Sequence, residues 1–186
     1  MRSSEYFIEE FSHICKNNDM NKFKHFFETE PDKNLLLMYS AIHGNLNFIR
    51  YLVKNDVDIH CEDNYVFDIS CNYNYPDITR YFISESKDSC YWINKAFVIY
   101  THIGNMEFVD ELLEMDADIS YMNNEAIIFA ADAEMVKYLF DNGVDIAATY
   151  DDILRIAIQN KKTDIVEYLE SLDFYPRLKA VISCES

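Results

Sequence analysis

Apolar residues recur along the chain at the spacing of short amphipathic helices, and these helices come in pairs. In the first pair, residues 4–16 place Phe7, Phe11 and Ile14 on one face, with charged residues between them. The polar sequence N-N-D-M at 17–20 then interrupts the pattern before a second apolar stripe begins. This spacing predicts two helices joined by a tight turn. The arrangement returns throughout the chain, so the pattern predicts an all-α protein.

The strongest repeat is a 16-residue stretch that occurs twice, at 44–59 and 104–119. The two copies read G-N-L-N-F-I-R-Y-L-V-K-N-D-V-D-I and G-N-M-E-F-V-D-E-L-L-E-M-D-A-D-I, and they are identical at seven positions. A weaker copy lies between them at 74–83, so the period is about 30 residues. Periods of 20–50 residues are typical of solenoids, in which each unit covers the apolar face of the next.

Six helix-turn-helix repeats are predicted. Equivalent positions on their second helices follow one another at steps of 26, 30, 30, 27 and 30 residues: Phe23, Ile49, Thr79, Val109, Val136 and Val166. The predicted repeats are 4–33 as an N-terminal cap, then 34–63, 64–93, 94–123, 124–150 and 151–174, with 175–186 as a C-terminal cap or tail. No linker composition separates them, so residues 1–186 are expected to form a single array.

Two local expectations follow from the repeat. The polar connector after residue 55 holds two apolar anchors, Val57 and Ile59, whereas the connector S-E-S-K-D-S-C-Y at 84–91 has none and is expected to be the most irregular. Cys15 and Cys71 occupy small inward positions of the first helices, where they are expected to be packing residues.

Three of the repeats share the pattern L-x5-D-I, and this pattern resembles the second helix and outer loop of ankyrin repeats. The fifth repeat reads Y-L-F-D-N-G-V-D-I, with Gly143 at the position where a helix ends on a left-handed residue. The resemblance implies an ankyrin-type solenoid of about six stacked repeats. The short period is similar to that of the shortened ankyrin repeats of large DNA viruses.

The chain departs from the usual ankyrin pattern in two ways. Ankyrin repeats have about 33 residues and open with T-P-L-H, but this motif is absent here and Asp56 and Asp116 replace the usual Gly at the helix end. Short connectors without an extended hairpin finger are therefore expected. Tetratricopeptide arrays are the main alternative, but their W-x2-L-G-x2-Y pattern is not found.

Charge and cysteine content restrict the partners and the compartment. Sixteen basic and 33 acidic side chains give a net charge of −17, which repels nucleic acid and anionic lipid and favours a basic or mixed-charge protein partner. The five cysteines include no C-x-x-C pair, and no apolar run approaches the roughly 20 residues that span a bilayer. The chain is expected to be a soluble, monomeric protein of a reducing compartment, the cytoplasm (of a host cell, should the chain be viral).

No catalytic set or cofactor site is predicted. The three glycines all lie at repeat turns, so they form no phosphate-binding loop, and the five histidines show no zinc-ligand spacing. His43 and His102 lie near the turns within their repeats, where a hydrogen-bonded structural role is expected. Adjacent acids such as Asp151 and Asp152 diverge on a helix instead of converging across a cleft. The chain is therefore expected not to be an enzyme and to need no metal or cofactor.

The resemblance to ankyrin repeats implies that partners dock on the connector tips and the exposed face of the first helices. Aromatic and acidic side chains at these positions are the candidate binding residues, since Trp and Tyr anchor many interfaces and carboxylates steer basic partners. They are His60, Glu62, Asp63, Tyr65, Asp88, Tyr91, Trp92, Tyr121, Asn123, Tyr150 and Asp151.

Two functions agree with these features. The first is a protein-interaction module or scaffold that binds its partner on the concave, loop-bearing face. The second is a substrate-recruiting adaptor or host-directed effector within a larger assembly such as a ubiquitin ligase. A spacer or self-associating role is a further alternative.

Overall fold

The computed structural model describes residues 4–172, with every side chain in that range except those of residues 4–6 and 62. The predicted tail at 175–186 and the last two residues of the sixth repeat lie outside the described residues.

The described residues form twelve α-helices and no β-strand, which confirms the all-α prediction for this part of the chain. In order they are α1 Ser4–Lys16, α2 Met20–Thr29, α3 Lys33–Ile42, α4 Leu46–Lys54, α5 Cys61–Asn72, α6 Pro76–Glu85, α7 Ser89–Ile103, α8 Met106–Glu114, α9 Tyr121–Ile128, α10 Ala133–Asp141, α11 Ile146–Gln159 and α12 Thr163–Ser171. Within 4–172, no helix is both long and apolar enough to cross a membrane.

The chain divides into two compact units between Ser89 and Cys90. The N-terminal unit contains α1–α6, and the C-terminal unit contains α8–α12 together with α7, apart from its first residue. The continuous array predicted over residues 1–186, and its identity as an ankyrin solenoid, stay predictions.

In the N-terminal unit, successive helices pack as pairs and the first helices of neighbouring pairs contact each other. α3 packs against its partner α4 and also against α1 and α5. Phenylalanine rings fill the space between pairs: Phe23 of α2 stacks on Phe48 of α4 with ring centroids 4.0 Å apart, and both are fully buried. The repeated apolar stripe is therefore the contact between neighbouring pairs.

The C-terminal unit is built in the same way. Tyr100 of α7 contacts Phe108 of α8 edge to face at 4.5 Å. α9 pairs with α10 and α11 pairs with α12, while α11 also packs against α9 and α12 against α10. Each pair thus buries its apolar face partly against its own partner helix and partly against the neighbouring pair.

In five of the six described pairs, all but α9–α10, the turn ends the first helix on a left-handed residue. Gly44 and Gly104 have φ values of 66° and 83°, and the amides that follow them donate to Ser40 O and Tyr100 O at 2.8 and 3.1 Å. These bonds satisfy carbonyl groups that the helix end leaves unpaired. Equivalent left-handed positions in other pairs hold Asn18, Asn74 and Lys161.

Three of the second helices, α4, α8 and α10, are followed by a residue of the same left-handed conformation. Asp56, Asp116 and Gly143 have φ values of 62°, 65° and 102°, so the two aspartates adopt the left-handed conformation usually held by glycine. Asp and Asn tolerate this conformation better than other L-residues do. The apolar anchors Val57 and Ile59 that follow Asp56 are buried, as predicted.

The prediction that residues 84–91 form the most irregular connector is wrong. Only residues 86–88 separate α6 from α7, because the polar residues on either side already belong to the two helices. The irregular backbone lies instead at the start of two first helices: Asp63 and Asn64 in α5, and Met122, Asn123 and Asn124 in α9, have positive φ.

Candidate functional site

Most of the predicted binding residues lie in the first turns of the first helices and not in loops. α5, α7 and α11 begin at Cys61, Ser89 and Ile146, earlier than the sequence pattern indicated. Among the predicted residues, His60 is the N-cap of α5 and Asp88 lies between α6 and α7; the others belong to helical segments.

Several of these side chains are accessible. Tyr65 and Tyr91 are 54% and 40% exposed, and Tyr121 is half-buried. The polar members of the set are exposed, apart from Glu62, whose side chain lies outside the described residues: His60, Asp63, Asp88, Asn123 and Asp151.

Trp92 and Tyr150 are core residues, which corrects their prediction as exposed anchors. Each is 2% exposed. Trp92, Ala96 and Tyr100 follow one another at one helical turn, so they lie on the same face of α7. Likewise, Ile146, Tyr150 and Ile153 lie on one face of α11. Because both helices begin before these positions, each aromatic ring continues a buried stripe.

The connectors before α5 and α9 share one backbone conformation. Asp58 Oδ1 accepts a hydrogen bond from the His60 amide, and Asp118 Oδ1 accepts one from the Ser120 amide, both at 2.9 Å. The left-handed residues Asp63 and Asn64 recur 60 positions later as Asn123 and Asn124. The sequence repeat therefore fixes the shape of these two tips as well as the helices.

One member of the predicted set borders a groove in the N-terminal unit. This α3–α5 groove has a volume of about 420 Å³ and is lined by Asp32, Asn34, Leu35, Met38, Tyr65 and Val66. Four of these side chains are largely apolar, while Asp32 and Asn34 lie at the start of α3. The groove is therefore an apolar depression with a polar edge.

The carboxylate at this edge is held in place. Asp32 is the N-cap of α3 and accepts a hydrogen bond from the Leu35 amide at 3.1 Å. The neighbouring cation, Lys33, donates from Nζ to the carbonyl oxygens of Phe27 and Glu30 at the end of α2, and it lies 4.5 Å from the Phe27 ring centroid. The lysine charge is thereby engaged at α2, and Asp32 and Asp63 remain exposed.

A second groove, the α11–α12 groove, lies in the C-terminal unit. It has a volume of about 410 Å³ and is formed by the turn between α11 and α12 and by the start of α12. Its lining includes Ile158, which is 61% exposed, together with Lys161, Val166 and Glu167. Lys162, also in the lining, donates from Nζ to Ala130 O at 2.6 Å.

The titratable groups inside the helices have structural contacts. His43 Nε2 lies 3.0 Å from Ser12 Oγ, and burial and the nearby Lys16 charge lower its pKa. Burial also lowers the pKa of His102, although a hydrogen bond to the Glu125 backbone and the Glu125 charge oppose this shift. The structural role predicted for the two histidines agrees with these contacts.

The buried thiols and the potential metal ligands of the described residues form no cluster suited to holding a metal ion. Cys15 and Cys71 are buried as predicted, and burial raises the pKa of the Cys15 thiol to about 12, which suppresses the reactive thiolate at neutral pH. Within the described part of the chain, no three His, Cys, Asp or Glu side chains are grouped so that they could hold a metal ion.

The contribution of α3 to the site was not predicted from the sequence. Leu35 and Met38 lie three residues apart and are half-buried, whereas the buried face of α3 consists of Leu36, Leu37, Ser40 and Ala41. A second apolar pair on the outer side of an amphipathic helix is the signal that could have indicated a groove there.

Comparison of the sequence with protein-family models and with curated proteins finds no match. The candidate site is therefore defined by its geometry alone.

Proposed function

We propose that the protein is a non-catalytic protein-interaction module and that the α3–α5 groove receives a short segment of a partner protein. The observation that carries the proposal is that Tyr65, an exposed member of the predicted binding set, lines an apolar groove of about 420 Å³. Grooves of 300–1,000 Å³ with apolar walls and a few polar groups are typical binding sites.

The groove lining suits a bulky apolar side chain of the partner. Leu35 and Val66 provide an aliphatic surface, and Met38 adapts its shape because its side chain is unbranched and flexible. Tyr65 contributes a large, rigid contact area with a hydroxyl group at its edge, which is the chemistry common at interface hot spots.

The charge around the groove favours basic residues next to that apolar side chain. Asp32 lines the groove and is exposed, and Asp63, two residues before Tyr65 in the chain, is exposed as well. The whole chain carries −17. Attraction of this kind accelerates association and weakens as salt is added. The partner segment is therefore one with Lys or Arg on either side of a bulky apolar residue.

The resemblance to ankyrin repeats supports the same face, because partners of that family dock on first helices and connector tips. The described structure gives no specific support to the adaptor function within a larger assembly, and that function stays an expectation from the sequence.

The test is a selection of displayed random peptides on the immobilised full chain, followed by affinity measurements on synthetic copies of the selected peptides. Tyr65→Ala is the test variant. Tyr73→Ala is the matched control, because Tyr73 is 55% exposed, follows the other end of α5 and does not line the groove.

The proposal expects peptides that pair a bulky apolar residue with Lys or Arg, about tenfold weaker binding by the Tyr65→Ala protein, and unchanged binding by the Tyr73→Ala protein. Binding should also weaken between low and high salt. Equal effects of the two substitutions, affinities that do not respond to salt, or a selection that yields no peptide would each argue against this function.

A further inference from the structure

The two copies of the 16-residue repeat carry opposite charges on their second helices. Arg50 and Lys54 of α4 occupy the positions that Asp110 and Glu114 occupy in α8, 60 residues later. α4 contains two basic residues and no acidic one, whereas α8, which is equally long, contains four acidic residues and no basic one. The four side chains at the exchanged positions are exposed. Two equivalent helices of the repeat therefore present surfaces of opposite sign.

The basic surface of α4 is shared with α2. α2 contributes Lys22 and Lys24, which are both exposed, and its one acidic residue is Glu28. Lys22 lies 3.7 Å from Asp19 at the start of the same helix. The α2–α4 basic surface, defined by Lys22, Lys24, Arg50 and Lys54, is therefore a region of positive charge in a chain that carries −17.

Aromatic rings hold two of these cations in place. Lys24 Nζ lies 5.6 Å from the Tyr51 ring centroid, and Arg50 Cζ lies 5.5 Å from the Tyr81 ring centroid. Tyr51 also contacts Phe27 edge to face at 5.4 Å. A cation is attracted to the face of an aromatic ring, and a side chain that is already held loses less entropy when a partner binds. The cations of this surface are therefore ordered before a partner arrives.

α8 has the complementary chemistry. Glu107, Asp110 and Glu114 are spaced i, i+3 and i+7, which places them on one face of the helix, and all three are exposed. Tyr138 of α10 donates a hydrogen bond to Asp110, so this carboxylate also has a fixed position. Carboxylates in such a row match the charge of the lysines and the arginine on the α2–α4 basic surface.

We propose that the α2–α4 basic surface is an interaction surface and that its partner is α8 of a second copy of this chain. Charge complementarity selects this partner, because every copy carries both the basic helices and an acidic helix of the same length as α4. A contact between two different surfaces is heterologous, so each copy can use both of them. The inference differs from the monomer expected from the sequence. It does not depend on the proposed function, since no residue of α2, α4 or α8 lines the α3–α5 groove.

The association is weak and reversible. Pairs of exposed charges contribute little each, and two copies that carry −17 also repel each other. A dissociation constant on the order of 100 μM is therefore expected. Salt screens the attraction between the two surfaces and the repulsion between the net charges alike. For this reason an exchange of charges between the surfaces is a sharper test than a change of salt.

Sedimentation equilibrium of the full-length chain, from about 10 μM to about 1 mM at physiological salt, measures the association. The basic-surface variant is Arg50→Glu with Lys54→Glu. The acidic-surface variant is Glu107→Lys with Glu114→Lys, and it leaves Asp110 unchanged because that carboxylate accepts the Tyr138 hydroxyl. The matched control, Lys16→Glu with Lys87→Glu, makes the same change in net charge at exposed positions outside the three helices.

The unsubstituted chain should associate as its concentration rises, and each variant alone should associate about tenfold more weakly, because like charges then face each other. A mixture of the two variants should associate again, because each variant then meets the opposite charge on the other. Both variants remain net negative, so attraction between net charges does not explain such a recovery. The control should associate like the unsubstituted chain.

A chain that stays monomeric at about 1 mM would overturn the proposal. Association that persists in both variants, or a mixture that does not recover, would also overturn it, since another surface would then join the copies. A loss in the control equal to that in the basic-surface variant would assign the effect to net charge and would likewise contradict the proposal. Circular dichroism checks that each variant folds. Should a reversed charge prevent folding, Gln at the same positions gives the same comparison with a smaller effect.

Discussion

The two copies of the 16-residue repeat, residues 44–59 and 104–119, have the same backbone but different neighbours. Both begin with a left-handed glycine, continue with an asparagine that caps the second helix, and end that helix on a left-handed aspartate. The neighbours differ. A Cβ added to Gly44 would lie 2.8 Å from Cε1 of Tyr75, whereas a Cβ added to Gly104 would lie 3.0 Å from the Ala131 Cβ.

The capping asparagines differ in the same way. Asn45 and Asn105 each accept a hydrogen bond from the amide three residues later, at 3.1 Å. Asn45 is buried and donates from Nδ2 to Cys15 O at 3.3 Å and to Asn18 Oδ1 at 3.2 Å. Asn105 is half-buried, so the two caps differ in burial. The repeat sequence thus sets the local conformation, and the neighbouring pair sets how much each residue contributes to stability.

The largest expected effect comes from the equivalent core residues Leu52 and Leu112, both with no exposed surface. Each Leu→Ala substitution should lower the free energy of unfolding by about 2–5 kcal/mol, because it removes buried apolar atoms and leaves a cavity. Hydrogen exchange should locate the loss of protection in the N-terminal unit for Leu52→Ala and in the C-terminal unit for Leu112→Ala. A uniform loss over both units would contradict nearest-neighbour coupling between helix pairs.

Alanine substitution of the glycines should separate backbone strain from contact with neighbours. At each glycine the left-handed conformation costs alanine about 1–2 kcal/mol. Gly44→Ala should cost roughly 1 kcal/mol more, since the new Cβ meets the Tyr75 ring. Gly143→Ala measures strain alone, because nothing lies within 4 Å of its added Cβ. Chemical unfolding should rank Gly44→Ala as the most destabilising and Gly143→Ala as the least; the reverse order would be evidence against the Tyr75 contact.

The capping asparagine Asn45 should give the next largest effect. Asn45→Ala is expected to lower stability by about 1 kcal/mol through the lost N-cap and by roughly 1 kcal/mol more through the lost donor to Cys15 O. Asn45→Asp retains the cap acceptor and loses this donor, so it isolates the second contribution. Equal stability of the Asn45→Asp protein and the unsubstituted protein in chemical unfolding would show that the bonds of Asn45 to the first pair contribute little.

The smallest expected effect is a fall in the free energy of unfolding at acidic pH. One histidine in each unit contributes to it. His43 and His102 both have a lowered pKa in the folded protein. The unfolded chain therefore takes up protons first, and the free energy of unfolding should fall as the pH drops below about 6.5. His43→Gln and His102→Gln should each reduce this slope in a urea-unfolding series between pH 7 and pH 5. An unchanged slope in both variants would assign the acid effect to carboxylates.

The helices and most of their core were predictable because their signal is local and periodic. Ile49, Leu52, Val109 and Leu112 are buried as their spacing predicted, and Gly143 ends its helix on a left-handed residue as expected. The starts of the first helices were less predictable. Residues 60–65 and 120–125 look like turns because they are polar, yet they wind directly into α5 and α9.

The candidate site was predictable only in part. Tyr65 is exposed as predicted, but Trp92 has the same aromatic character and also lies near the start of a first helix, and it is buried. Composition does not distinguish the two side chains, since their exposure depends on which face of the helix meets a neighbour. The contribution of α3 to the groove also depends on how two helices separated by about 30 residues meet.

By itself, the sequence determined that the chain forms short amphipathic helices in pairs and that the glycines lie at the turns of the repeats, because these properties depend on residues a few positions apart. The tertiary structure decided which aromatic residues are accessible, where grooves form between helices, and which turn residues meet a neighbour. These properties depend on packing between pairs about 30 residues apart, where an ångström of separation determines whether a side chain is exposed or buried.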